Sequence, residues 1–194
     1  MVYEFEITQQ WEGDPIDHEP VKMKLEGVEN GVKLTIKAPY FNDPAPVGEE
    51  GKPLWLLWDY EVVEVFFYNS KTGEYYEVEF GPHGQHLGLL FKKCREVWKK
   101  NLEMEYSAKI TGNTWTGCAI MPWDYLPAGI DKFNAFAMHG VDTNRVYETL
   151  YSAPKGKYEK PDFHRLEYFQ DIDINAVFPN GKLEKDETSI WNTA

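Results

Sequence analysis

Aromatic rings and carboxylates crowd one stretch of this sequence. Trp55, Trp58 and Tyr60 fall within LWLLWDYE, and Tyr40 and Phe41 occupy a Pro-rich loop, APYFNDPAPVG. With 7 Trp, 12 Tyr and 11 Phe, the chain holds more rings than one small core requires. Flat rings on loops stack against the apolar faces of sugars while neighbouring Asn, Asp, Glu and Lys bond the hydroxyls. The plainer role for any one ring is to close an end of the core, where most large aromatics are found.

Carboxylates come next. Glu61, Glu64, Glu77 and Glu79 lie on or beside the two runs EVVEVFFY and EYYEVEF. Glycoside hydrolysis needs two carboxyls at a set separation across the scissile bond, and Glu77 and Glu79 share a strand face. Exposed strands of any acidic protein offer similar pairs, and carboxylates with backbone carbonyls could equally hold calcium. There is no EF-hand loop.

The histidines are sparser. His83 and His86 stand three apart in GPHGQH, where a turn would let both reach one metal ion but an extended strand would not. Further ligands would have to come from His139, His164 or Asp162, which are scattered along the chain. The plainer role for each imidazole is a hydrogen bond to a neighbouring loop. In PDFHRLEYF, Asp162 and His164 would share a face if extended, but no G-x-S-x-G serine or catalytic cysteine context accompanies them. KKCREVWKK gathers Lys92, Lys93, Arg95, Lys99 and Lys100 around Trp98. It could meet a sulfated or phosphorylated ligand, but a solvated face or a charged sheet edge explains it better.

Strands must position these groups. In GVKLTIKA, Val32, Leu34 and Ile36 alternate with Lys33, Thr35 and Lys37, after an Asn30-Gly31 turn. EVVEVFFY reads as a strand buried on both faces except at Glu64. NSKTG turns it into EYYEVEF as an antiparallel hairpin. HLGLLF, MEYSAKI, TWTGCAIM, KFNAFAMHGV, YETLYSA and LEYFQDIDI follow as further strands, with Gly112-Asn113 marking a second hairpin. KKCREVWKKNLEME is the one stretch with helical potential. Eight or more short strands with turns about every ten residues point to an all-β, antiparallel sandwich of jelly-roll type. One domain over 1–178 is expected, with a polar, frayed tail over 179–194 apart from Ile190 and Trp191.

Composition narrows the partners. The chain has 194 residues and a formal net charge of −12, which disfavours nucleic acid and acidic membrane surfaces. No apolar run is long enough to span a bilayer, and MVYEFEITQQWEG lacks the pattern of a secretory signal. Two cysteines, Cys94 and Cys118, make no disulfide framework. A cytoplasmic location is the expectation that follows.

Taken together, LWDYEVVEVFFYN, YYEVEFGPHGQHLGLLF, CAIMPWDYLP, FNAFAMHG and KPDFHRLEYFQDI resemble an uncharacterised family typified by the human chromosome 4 open reading frame 33 protein. The resemblance spans residues 3–175. More remotely, EVVEVFF, YYEVEF and IMPW are similar to the corresponding strands of family-nine carbohydrate-binding modules. That likeness implies a β-sandwich of jelly-roll type, a sugar-binding role and, often, structural calcium. It implies that Trp58 supplies one of two rings that sandwich a sugar, with Trp55 close by. The second ring would be Tyr151 or Tyr147, since no tryptophan lies between Trp123 and Trp191. The acidic residue common before the I-P pair is absent here, and Cys118 stands near its place.

The expectation is therefore a non-catalytic carbohydrate-binding domain. Its ligand would rest on Trp55, Trp58 and Tyr40, with the second ring from Tyr151 and with Glu61, His83 and His86 at the rim. Two alternatives remain open: a metal-binding protein or metal-dependent enzyme using His83, His86, His139, His164 and Asp162, and an intracellular scaffold that binds proteins through its aromatics.

Overall fold

A computed structural model describes residues 2–193, and it is an antiparallel β-sandwich, as the alternating sequence requires. The first sheet has 5 strands, β1 (Val2–Ile7), β3 (Val21–Val28), β4 (Gly31–Pro39), β9 (Glu105–Thr111) and β10 (Thr114–Pro122), in the order β1-β3-β4-β10-β9. The second has 8 strands. They are β2 (Gln9–Gln10), β5 (Val62–Tyr68), β6 (Tyr75–Phe80), β7 (His86–Lys93), β8 (Glu96–Lys99), β11 (Lys132–His139), β12 (Val146–Thr149) and β13 (Gln170–Asp171). Their order is β2-β12-β11-β5-β6-β7-β8, and β13 pairs with the remaining edge of β11.

The first sheet follows the period-two rule closely. Leu25 pairs with Leu34 and Met23 with Ile36, all four buried, while Lys22, Lys24 and Lys37 fall on the other face. At the β3–β4 turn, Gly31 begins the new strand where a Cβ would lie 2.0 Å from the Met121 carbonyl oxygen. Only glycine lets β10 come that close. The second sheet is buried on both faces. Val63, Val65, Phe67, Tyr76, Val78 and Phe80 face the sandwich core, and Val62, Phe66, Tyr75, Leu89, Phe91 and Phe136 form a separate apolar cluster on the outside.

Four local expectations are corrected. KKCREVWKK is a hairpin, not a helix: Arg95 adopts φ 63° at its tip, and β8 returns along β7 as the edge of the sheet. LEYFQDIDI contains only the two-residue strand β13, because β12 and the Leu150 N–H already occupy β11 from Ala135 to His139 and β13 pairs only with Lys132 and Phe133. Glu64 is no exception to burial, being 2% exposed. The segment after Phe178 is packed rather than frayed. Trp191 is buried, Ser189 Oγ donates to Asp124 at 2.6 Å, and the Trp98 indole N–H donates to the Ile190 carbonyl. The strands β1 and β3 escaped the sequence reading, although they alternate by the same rule. No helix among the described residues is long and apolar enough to cross a membrane.

Candidate ligand-binding site

The outer apolar cluster of the large sheet needs a cover, and residues 150–169 provide one. Phe163 stacks on Phe136 with centroids 4.0 Å apart and planes within 13°. Beside this cover lies a cavity of about 450 Å³. Its walls combine aromatic rings, among them Trp55, Trp58 and Tyr147, with Glu64, Glu77, Arg95, Asp162 and His164.

The carboxyls arrive through strand register. Glu64 on β5 pairs directly with Glu79 on β6, and Glu77 follows two residues before Glu79 on the same face, so three acids meet where water is scarce. Burial pushes the Glu64 pKa up to about 8, with the nearby Arg145 charge working against the rise. Burial and then repulsion from Glu64 push Glu77 and Glu79 well above the usual carboxylate range. These acids hold their protons at neutral pH, and a protonated carboxyl donates as well as accepts. Glu77 Oε2 and both Glu79 oxygens have no hydrogen-bond partner among the described residues. Leaving a buried polar atom unpaired costs about 1–3 kcal/mol, and Glu77 borders the cavity.

A second polar chain runs beside them. The Tyr75 hydroxyl accepts the Arg95 backbone N–H at 3.0 Å, so its own proton goes to His164 Nδ1, 2.7 Å away. Neutral His164 then carries its proton on Nε2, which lies 3.6 Å from Glu77 Oε2. Burial and the Arg95 charge push the His164 pKa down to about 4, so the ring is neutral at pH 7. Arg95 pairs with Asp162 at 2.6 Å. Asp162 also accepts the backbone N–H of His164 at 3.0 Å, so it anchors the covering segment and not the imidazole ring.

The tryptophans sit on the loop before β5. Trp55 and Trp58 meet edge to face, 4.9 Å apart at 79°, and Trp55 is 39% exposed. Leu56 between them adopts φ 69°, a left-handed conformation costly for a branched side chain. Arg145 holds the loop there. Its guanidinium donates to the carbonyls of Trp58 (2.6 Å), Tyr60 (2.7 Å), Gly140 (2.9 Å) and Asp59 (3.3 Å). Tyr147 comes from the outer face of β12.

No family model matches the chain. Curated relatives match it nearly end to end. The UPF0462 protein C4orf33 homolog of Mus musculus is 47% identical over 192 residues, covering 97% of this chain and all of that one. The chain belongs to the UPF0462 family. The UPF0462 protein C4orf33 of Homo sapiens is 45% identical over 97% of this chain and 96% of its own, and the homolog of Danio rerio 43% identical over 98% of each. The family resemblance read from the sequence therefore holds. A crystal structure from Bacteroides uniformis ATCC 8492, described as a "putative carbohydrate-binding protein", superposes with a TM-score of 0.63 over 88% of this chain and 85% of that one. At 14% identity that likeness shows the sandwich fold alone.

Within this UPF0462 fold the residues marked in the sequence part company. Trp55 and Trp58 share the cavity. Of the two tyrosines offered as a second ring, Tyr147 borders it, while Tyr151 packs against the sandwich core. Tyr40 lies elsewhere, its hydroxyl meeting Asn42 at 3.2 Å and His83 at 3.4 Å. Glu61 Oε1 accepts the Phe41 N–H at 3.2 Å, and burial raises its pKa to about 7. His86 is fully buried with Nε2 3.2 Å from the Leu102 carbonyl, and burial lowers its pKa. The candidate metal ligands do not converge: His164 and Asp162 border the cavity, His83 meets Tyr40, His86 is sealed, and His139 joins His18 and Glu148 instead. Arg145, Tyr75, His18 and Glu148 were not singled out. Nothing near them in sequence marks them, because their partners converge only on folding.

Proposed function

We propose that this UPF0462 chain is a non-catalytic carbohydrate-binding domain that seats a small sugar in the cavity on the outer face of the large sheet. The observation that carries the reading is one cavity wall joining Trp55, Trp58 and Tyr147 to Glu64, Glu77, His164 and Arg95. Rings take the C–H faces of a sugar, and protonated carboxyls and a neutral imidazole exchange hydrogen bonds with its hydroxyls. The fold shared with the Bacteroides uniformis neighbour is consistent with this reading. Glycoside hydrolysis is the weaker reading, because it needs one ionised carboxylate beside a protonated acid, and burial favours the protonated form of all three glutamates. With few polar contacts, affinity falls on the order of micromolar to millimolar.

The test is a glycan panel followed by calorimetry with the best sugar. Trp58→Ala abolishes binding while the circular dichroism spectrum is kept. Binding that survives Trp58→Ala unchanged, or no binding across the panel, overturns the proposal.

A further inference from the structure

At the opposite face of the large sheet, three side chains from separate segments converge on one point. His139 ends β11, Glu148 lies on β12 across from Ala137, and His18 comes from the loop between β2 and β3. His18 Nε2 is 2.8 Å and His139 Nε2 3.0 Å from the same oxygen, Glu148 Oε1. We propose that His18, His139 and Glu148 bind a divalent transition-metal ion of the Zn²⁺ class.

Three observations carry this. First, the three ligand atoms lie within 4.8 Å of one another. A tetrahedral ion with bonds of about 2.0–2.1 Å holds its ligands about 3.3 Å apart, so the two His–Glu148 contacts, at 2.8 and 3.0 Å, need part by only about half an ångström. Second, the tautomer of His18 is set by its other nitrogen. Nδ1 lies 3.0 Å from the Glu19 carbonyl, which can only accept, so Nδ1 carries the proton. Its Nε2 faces the Glu148 carboxylate oxygen at 2.8 Å, a contact that a proton on Nε2 or a metal ion between the two atoms can bridge. A backbone carbonyl fixing the far nitrogen of an imidazole is the arrangement that orients metal-bound histidines. Third, Glu148 is fully buried and its Oε2 has no partner among the described residues, leaving a second oxygen for the ion.

The surroundings hold the ligands rigidly. Phe41 stacks on His139 at 3.5 Å with planes within 3° and meets the His18 ring edge-on at 5.0 Å. His18 also borders a cavity of about 580 Å³ beside Tyr40 and Phe41, which gives an ion a path from solvent. Two imidazoles and one carboxylate favour zinc and its neighbours over calcium or magnesium, which prefer oxygen. This site shares no residue with the sugar cavity, so either can fail without the other.

Chelator-treated, untagged protein is titrated with Zn²⁺ by calorimetry and with Co²⁺ by visible absorption. One ion per chain binds, with the intense cobalt bands of a four-coordinate site. His18→Ala and His139→Ala each weaken binding by at least about tenfold, and a His83→Ala control keeps wild-type affinity. Added zinc raises the melting temperature of the wild type and leaves that of His18→Ala unmoved. Absence of binding to folded wild-type protein overturns the proposal and leaves a proton bridging the cluster. Wild-type affinity retained in both histidine variants overturns it as well, by placing any ion elsewhere.

Discussion

Glu64 shows how one buried residue ties the site to the stability of the whole chain. Its pKa stands at about 8 in the fold against an ordinary 4.5, so folding favours the protonated form. The stability this provides is present in full below pH 4.5 and is lost as pH rises through about 8. Urea unfolding should therefore show the wild type losing on the order of 2 kcal/mol or more between pH 5 and pH 9. Glu64→Gln keeps the neutral shape and reduces that slope, the remainder coming from Glu77 and Glu79. A wild-type profile that is level, or that rises toward pH 9, would show the carboxyl ionised and solvated. The residue's presence on a strand was legible from alternation. Its burial was not, because the cover comes from residues 150–169, some ninety positions away in the chain.

At the scale of elements, the ligand loop depends on Arg145. A planar guanidinium reaches four carbonyls at once and joins the tryptophan loop to the segment between β11 and β12. Arg145 does not itself line the cavity, but it holds the backbone of Trp58, which does; Arg145→Ala should lower sugar affinity at least about tenfold by calorimetry and leave the strand signal in circular dichroism intact. Unchanged affinity would mean that the loop holds its shape without the clamp. Period-two alternation made most strands readable, since that signal is local. The β7–β8 hairpin was hidden because its tip is Cys94-Arg95, with no glycine or asparagine to advertise a positive φ. The final strand was overestimated because its length is set by the edge left free on β11, which no local pattern encodes.

For the molecule as a whole, the two-layer architecture was legible, because alternation and turn spacing are local signals. Trp191 was, with Ile190, the apolar exception read in the tail; the polar residues before it were misread as frayed because partners such as Asp124 lie far away in the chain. Lys92 bonds both Glu74 and the Trp191 carbonyl and sits 5.5 Å from the Trp191 ring centre, so the basic run serves as an anchor. The deeper feature is an outer sheet face that is apolar, acid-bearing and roofed, where a simple sandwich would be wet. The most direct test of that face is a sugar titration that follows the indole N–H signals by NMR. The signals of Trp55 and Trp58 should shift with saturation while that of the core residue Trp115 stays fixed. Sugar binding that leaves both loop indoles unmoved would contradict the account.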